Sequence, residues 1–554
     1  QQFYFPEPVP RARVPFLYEV KKIVALRERS NSITVKNVRT DDGMTRKFVT
    51  TAFFPVLMCM CSVVPVFAQD TSSERSSSAG EMQSSSSSDD GEQQKARNVN
   101  VDMQLAYGQY NNMFSTISLS HESEDFAYLL TSDFKRSNDY GYGNETFFNT
   151  SYYENKIGFT GNLSVTDSWR TIFEAAVDGD SHGMYGNPVY SREEKEKYSL
   201  SAKNTIRSSS SFEWYSSLSY AGYTHRLSGR EDPDNEKSSL NKVRGELGGE
   251  YIWSGSNRIR MSVLGAYYDY SSSDAHSDGY AKAEFVDDFK LTAGTGVSIG
   301  FESCWSRDSG TLSLFGGVPL NPNIALSYTG SKYVTMSVSY KYDMENFRPE
   351  NLFFDQKYVY PVFNLPASKS HVCEGKVDIR AGDFFTLKNS ALLKRSDNFY
   401  NFYNYYAGAA AADNGNVVSA HGISVTSINA KTDASLSIMD SGFKVLAGYE
   451  YQRYSADENV TYHPAHQFNA GLRYGSDQWN VEWNNKVSSS VYTDTKSDRK
   501  LKQSVVGLVG LQMQMIGGLF SYLRIENIYN SRYYIREGYP EAGITVLGGL
   551  RILI

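Results

Sequence analysis

The densest run of side chains able to recognise a ligand is Phe399-Tyr400-Asn401-Phe402-Tyr403-Asn404-Tyr405-Tyr406. Its aromatic faces would stack on a sugar or an aromatic chelate while the Asn amides supply hydrogen bonds, which makes Phe399, Tyr400, Phe402, Tyr403, Tyr405 and Tyr406 the candidate ligand-binding residues. Where a strand leaves a membrane, the same cluster would serve as an interfacial girdle. Asp178, Asp180 and His182 are spaced two apart, so on a continuous strand they would share a face as a carboxylate and imidazole site; they read instead as the polar start of an external loop. Asp232, Asp234 and Glu236 suggest a calcium loop, but Pro233 and the lack of the loop's glycine and twelfth-position Glu break the pattern. His463 and His466 flank Pro464 and read as solvated, and Gly294 to Gly300 lacks the spacing of a dinucleotide loop and reads as a glycine-rich strand. No residue is assigned a catalytic or metal-binding role and no cofactor is expected, because Ser is too abundant for a Ser, His and Asp grouping to carry information. The chain reads as a non-enzyme.

The elements that must position these residues show in the alternation of polarity. Val334, Met336, Val338, Tyr340 and Tyr342 alternate with Thr335, Ser337, Ser339 and Lys341, giving a strand greasy on one face and hydroxylated on the other. Runs of about ten residues repeat this pattern from residue 98 to Ile554, as membrane-spanning β-strands do. Mean hydropathy is −0.46, as befits a polar chain. Yet 41 Tyr and 30 Phe raise the aromatic share to 14%, enough for girdles at two membrane interfaces. A net charge of −7 gives no reason to expect nucleic acid.

Connections between the runs fall into two alternating classes. Short turns lie near 123–125, 166–167, 208–210, 254–256, 329–331, 381–383, 440–442, 475–477 and 517–518. Longer polar stretches lie around 136–150, 178–194, 227–238, 342–370, 400–420, 453–463, 490–500 and 529–543. Outer-membrane barrels have this asymmetry, with the short side periplasmic. The expected fold is therefore an all-β, transmembrane antiparallel barrel of about 22 strands, with 20 admissible because Leu312 to Phe315 sits in an ambiguous stretch. Ahead of it, Met44 to Ala68 has the basic, apolar and small-residue regions of a secretory signal peptide, so residues 1–43 read as lying upstream of the true start. Residues 69–97 are Ser-rich and acidic and read as a disordered leader. Cys304 and Cys373 would be the cysteines left after processing, and a disulfide between them stays open.

The segment Tyr522 to Asn530, followed by Tyr533, Gly538-Tyr539-Pro540 and Gly543, resembles the closing strands of the TonB-dependent receptor barrel, with Asn527, Tyr533, Gly538, Tyr539, Pro540 and Gly543 carrying the likeness. Leu105-Ala106-Tyr107-Gly108 and Phe134-Lys135-Arg136-Ser137 are similar to its opening strands. Pro322, Phe347-Arg348-Pro349, Glu374 and Pro464 fall at comparable places, so the likeness covers 98–554. The resemblance implies an outer-membrane protein of a Gram-negative-type bacterium that takes up or passes a solute. Its expected partners are membrane lipid, the barrel-assembly machinery and an unidentified small-molecule ligand. Such receptors carry a plug domain inside the barrel, whereas residues 69–97 are too short and polar to fold as one. The expectation is therefore that a separate plug or periplasmic partner, or inward-folded loops at 342–370 and 400–420, closes a lumen too wide for wall side chains to fill.

Overall fold

The structure, a computed structural model, describes residues 99–554 apart from 143, 188, 230–235, 272–275, 308–309, 312–319, 346–355, 361–364, 405–416 and 439–441. The expected signal peptide and leader, Asp232, Asp234, Leu312 to Phe315, Phe347-Arg348-Pro349, Tyr405 and Tyr406 lie outside the described residues, and the side chain of Glu236 is not described. Twenty-two consecutive antiparallel strands form a closed barrel, from Val99–Gly108 to Thr545–Leu553. Closure is the pairing of the first strand with the last, in a register that sets Leu105 opposite Leu550 and Asp102 opposite Leu553. Closing the sheet leaves no unpaired edge, which a lipid surround would not tolerate.

The ambiguous stretch resolves into two strands, Thr295–Ser306 and Asn321–Tyr328, paired directly with Val297 opposite Leu326. Tight turns close one rim. Gly255 sits at φ 55 between Ser254 and Asn257, a left-handed backbone that a Cβ would strain, as two-residue hairpin turns require. At Gly518 a Cβ would fall 1.8 Å from the Leu553 carbonyl oxygen.

Alternation sorts the side chains as expected. Leu200, Leu218, Leu247, Val263 and Val338 are all more than half exposed on the outer face. An apolar band on this scale has no place in water and marks a lipid-facing wall. No helix among the described residues is long and apolar enough to cross a membrane. Several strands outrun the bilayer. Tyr190–Ser209 has 20 residues, roughly twice the 9–11 that a tilted strand needs to span the hydrocarbon. The surplus projects on the long-loop side and carries the mouth of the barrel. It also corrects one expectation: 178–194 is not loop throughout, because Trp169–Gly183 continues through Asp178, Asp180 and His182.

Both described cysteines are free. Cys304 is fully buried, whereas Cys373 is exposed and pairs with Tyr340 of the outward-facing set, so the open disulfide does not form.

Candidate functional site

The projecting strand ends bring charged residues to the inner wall of the mouth. On Tyr190–Ser209, Glu193 and Lys195 are two apart and so share a face; the register sets Lys195 opposite His225 of the next strand. Glu193 is fully buried with three partners: the Lys195 ammonium at 3.3 Å, His225 Nε2 at 3.0 Å and the backbone N–H of Tyr358, which donates to Oε2 at 2.7 Å. A buried carboxylate persists only when its lone pairs are met in this way.

Tyr358 does not belong to the wall. It lies between the strands Val334–Glu345 and Ser368–Ala381, in a long external connection whose residues Gln356 to Tyr360 are folded into the lumen. Lys195 donates to the Gln356 carbonyl, and the Lys357 ammonium lies 3.2 Å from Glu154 Oε1. On the far side, Val359 forms a parallel bridge with Val418. The Tyr360 N–H donates to Val418 O at 2.7 Å and the Val418 N–H to Tyr358 O at 3.1 Å. Val359 and Val418 are both fully buried, within an apolar cluster that includes Tyr223, Leu240, Tyr268 and Phe402. Glu154 and Glu193 stand on the fourth and sixth strands and Val418 opens the sixteenth, so Gln356 to Tyr360 ties together opposite sides of the barrel. At its centre Tyr358 has φ 61, a left-handed backbone unusual for a bulky residue and held here by bonds on both sides.

The connection between the last two strands braces this segment. Tyr539 stacks on Tyr358 with centroids 3.6 Å apart and planes 5° from parallel. Arg536 donates to Gln356 Oε1 at 2.8 Å and lies over the rings of Phe402 at 4.7 Å and Tyr462 at 4.2 Å. Burial lowers the Arg536 guanidinium to about 10 and raises the Tyr462 phenol to about 12. Burial likewise raises the Glu541 carboxyl to about 7.

The residues singled out by resemblance build this brace. Asn527 takes φ 49; its side chain donates to Ser531 O at 2.9 Å and Ala542 O at 3.0 Å, and accepts from Ser531 N–H at 2.9 Å. Tyr533 O accepts from Glu541 N–H at 2.9 Å, Gly538 has φ 82, and Pro540 O accepts from Tyr140 OH at 3.0 Å. At Gly543 a Cβ would meet Asn530 Oδ1 at 2.7 Å.

The aromatic cluster is split. Phe402 is buried beneath Arg536 in the luminal cluster, with Tyr400 packed against it and donating to Pro366 O at 3.0 Å. Phe399 packs near Tyr454 and His463, each at 5.8 Å, and Tyr403 meets His421 edge-on at 5.2 Å. Two of these residues thus hold the inserted segment rather than ringing the membrane interface.

His463 and His466 are not brought together. His463 lies between Phe399 and Tyr454 and is held neutral by burial, with a pKa near 4; it is not simply solvated. His466 shares a hydrogen bond with Tyr449 at 2.9 Å. Gly294 sits in a turn and Thr295 to Gly300 forms the glycine-rich strand expected there, and Gly296-Val297-Ser298-Ile299-Gly300 has the spacing of a nucleophile elbow. However, Ser298 sits inside regular antiparallel pairing, opposite Asp288 and Ala325, with no strand-to-helix turn to present it.

Sequence reasoning missed Glu193, Lys195, His225 and Gln356 to Tyr360 as individual residues. The one available signal was the Glu193, Lys195, Lys197 spacing, three charges on one face of a strand, Tyr190–Ser209, whose first residues fall inside the stretch 178–194 expected as a loop.

No family model matches the chain, and no curated relative does. Solved structures do. The copper transporter OprC aligns over 82% of this chain and 80% of its own, at 12% identity and a TM-score of 0.65. The FrpB iron transporter from Neisseria meningitidis aligns over 83% and 82%, at 11% identity and 0.66. The ferric enterobactin receptor PfeA from Pseudomonas aeruginosa aligns over 82% and 80%, at 12% and 0.62. The chain shares the closed barrel fold of these outer-membrane proteins. At these identities the likeness is one of fold, so the inserted segment and its anchors must be read from this chain's own residues.

Proposed function

We propose that this chain is an outer-membrane barrel of a Gram-negative-type bacterium that passes a polar solute through its lumen, and that the inserted segment Gln356 to Tyr360 is the gate. The observation that carries this reading is the position of Val359. It is buried against Val418 on one side of the mouth while its neighbours Lys357 and Tyr358 bond Glu154 and Glu193 on the other. A structural wall has no use for a strained segment across its opening; a conduit that must not leak does. Copper transporter, iron transporter and ferric enterobactin receptor are the descriptions of proteins that share the fold, and they favour transport over a purely structural barrel. The anchors of the gate are hydrogen bonds and ion pairs that a ligand at the mouth can replace, as gating by a folded-in loop requires. Tyr400, Phe402 and Tyr403, next to the gate, are the proposed aromatic contacts for that ligand.

The test is potassium chloride conductance in planar bilayers. The full chain is expected to be mostly closed, and a variant with Gln356 to Tyr360 replaced by glycines should show large steady openings. Equal conductance from the two proteins would overturn the gate.

A further inference from the structure

One carboxylate of the barrel wall is turned toward the lipid. On the strand His276–Thr292, Lys282, Glu284 and Asp288 point into the lumen, where Lys282 meets Glu302 and Asp288 takes the Arg260 guanidinium at 2.9 Å. Asp287 falls on the other face with Phe285 and Leu291, which are 40% and 60% exposed on the outer wall. The register sets it between Ile259 and Ile299 of the two adjoining strands. Its Oδ1 is buried and has no hydrogen-bond partner. Buried polar atoms are nearly always paired and an acid among lipid-facing residues is costly, so Asp287 marks a contact that the chain alone does not make.

Its height in the wall indicates what that contact is. Tyr251 stands opposite Ile259 and Ile259 opposite Asp287, so the three share one row. Tyr251, Trp214 and Trp253 form an exposed aromatic patch near the Gly255 turn. Such patches collect where hydrocarbon meets headgroups, which places Asp287 at headgroup depth on the side of the tight turns. From this level a hollow of about 540 Å³ opens on the outer wall, lined by Trp214, Leu247, Tyr251, Ile259, Met261 and Phe285. Gly249 lies between Trp214 and Met261 and offers no side chain to fill its floor. Farther up, Gly245, Gly265 and Ala281 follow one another across three strands, and a Cβ at Gly265 would meet nothing within 4 Å. Asp287 adjoins the lower edge of the hollow, opposite Ile259 and two residues from Phe285.

We propose that Asp287 and this hollow bind one phospholipid whose headgroup carries a primary ammonium, as in phosphatidylethanolamine. An acyl chain fills the hollow and the ammonium meets the carboxylate. A primary ammonium supplies N–H donors together with its charge, which is what the unpartnered Oδ1 requires. A choline headgroup is cationic and has no N–H to donate. A glycerol headgroup has hydroxyl donors and leaves the lipid phosphate and the carboxylate as two uncompensated anions. The occupant is a lipid because the hollow lies on a face that lipid already covers and ends at the depth where headgroups begin. The site is on the opposite face of the wall from the gate and does not depend on it.

The test is native mass spectrometry of the full chain released from detergent micelles that hold equal amounts of palmitoyl-oleoyl phosphatidylethanolamine, phosphatidylcholine and phosphatidylglycerol. The wild type should keep one phosphatidylethanolamine under activation that strips the other two, with phosphatidylcholine the next to leave and phosphatidylglycerol the first. Asp287→Asn should lower the preference for phosphatidylethanolamine over phosphatidylglycerol roughly tenfold, the worth of one charge-assisted hydrogen bond. Asp287→Leu, which suits a lipid-facing strand and keeps the barrel folded, should abolish it. Gly249→Leu fills the hollow and should weaken retention of phosphatidylethanolamine while its preference over phosphatidylglycerol persists. Equal retention of the three lipids, or a preference that survives in both Asp287 variants, overturns the headgroup site. Retention unchanged in Gly249→Leu overturns the hollow as the seat of the chain. A dimer of the wild type that is lost in Asp287→Leu would put a second copy on this face and overturn the lipid.

Discussion

The outer wall and the mouth of this barrel are made from the same strands and obey different rules. On the wall, Leu200, Leu218, Leu247 and Val263 each face lipid and do the same thing as their neighbours, so no single one is indispensable. At the mouth, Glu193 joins Lys195, His225 and Tyr358 from three separate parts of the chain, and no other residue substitutes for it. A periodic surface spreads its energy over many equivalent side chains. The mouth concentrates it in a few buried polar contacts, which is where a small input can change the state of the protein.

Substitutions that touch one region and spare the other sharpen this contrast. The largest effect is expected for Glu193→Ala, which strands the Lys195 ammonium and the Tyr358 N–H; breaking a buried pair in this way costs about 3–5 kcal/mol. Conductance should rise severalfold while the barrel still migrates as a folded species on unheated gels. A closed channel in this variant would show that Glu193 does not hold the gate. Leu247→Arg is its counterpart on the wall. A cation near the bilayer midplane costs about 2–4 kcal/mol, so urea unfolding from vesicles should shift to lower concentration with single-channel conductance unchanged. If this substitution alone opened the channel, wall and mouth would not be separable.

A smaller effect comes from pH. Burial raises Glu541 from the ordinary 4.5 to about 7, so the folded mouth favours its protonated form. That preference is fully present below the ordinary carboxyl pKa and is lost as pH rises toward 7, when the carboxylate must ionise in a buried setting. Glu541 shares its loop with Tyr539 and Arg536, which brace the gate. Open probability should therefore increase between about pH 5 and pH 8, and Glu541→Gln should flatten the dependence. A wild type whose opening does not change over this range would remove Glu541 from the brace.

Much of the fold was legible because strand periodicity is local. Val334 to Tyr342 announces its own outward face, and glycine at positions such as 255 and 517 announces a turn without reference to anything distant. The motif at Asn527 to Gly543 was legible for a related reason. Its left-handed Asn527 and the crowded Gly543 are demanded by the loop's own backbone, although the sequence did not reveal that the loop braces Tyr358. Asp178, Asp180 and His182 were legible as a spacing and misread as a loop, because polar residues mark a loop in a soluble protein but mark the lumen in a barrel strand that outruns the bilayer.

The sequence by itself thus determined a closed membrane barrel: which residues face lipid, where the strands turn and roughly how many there are. Those properties depend on neighbours two residues apart and on the short reach of a hairpin. Only the tertiary structure decided that Gln356 to Tyr360 enters the lumen, that Glu193 receives it and that Glu154 meets its Lys357. These contacts join residues more than a hundred positions apart, such as Glu193 and Tyr358 at a separation of 165. Such a pairing has no period to betray it, and it exists only once the sheet has closed and brought opposite walls within reach of one loop.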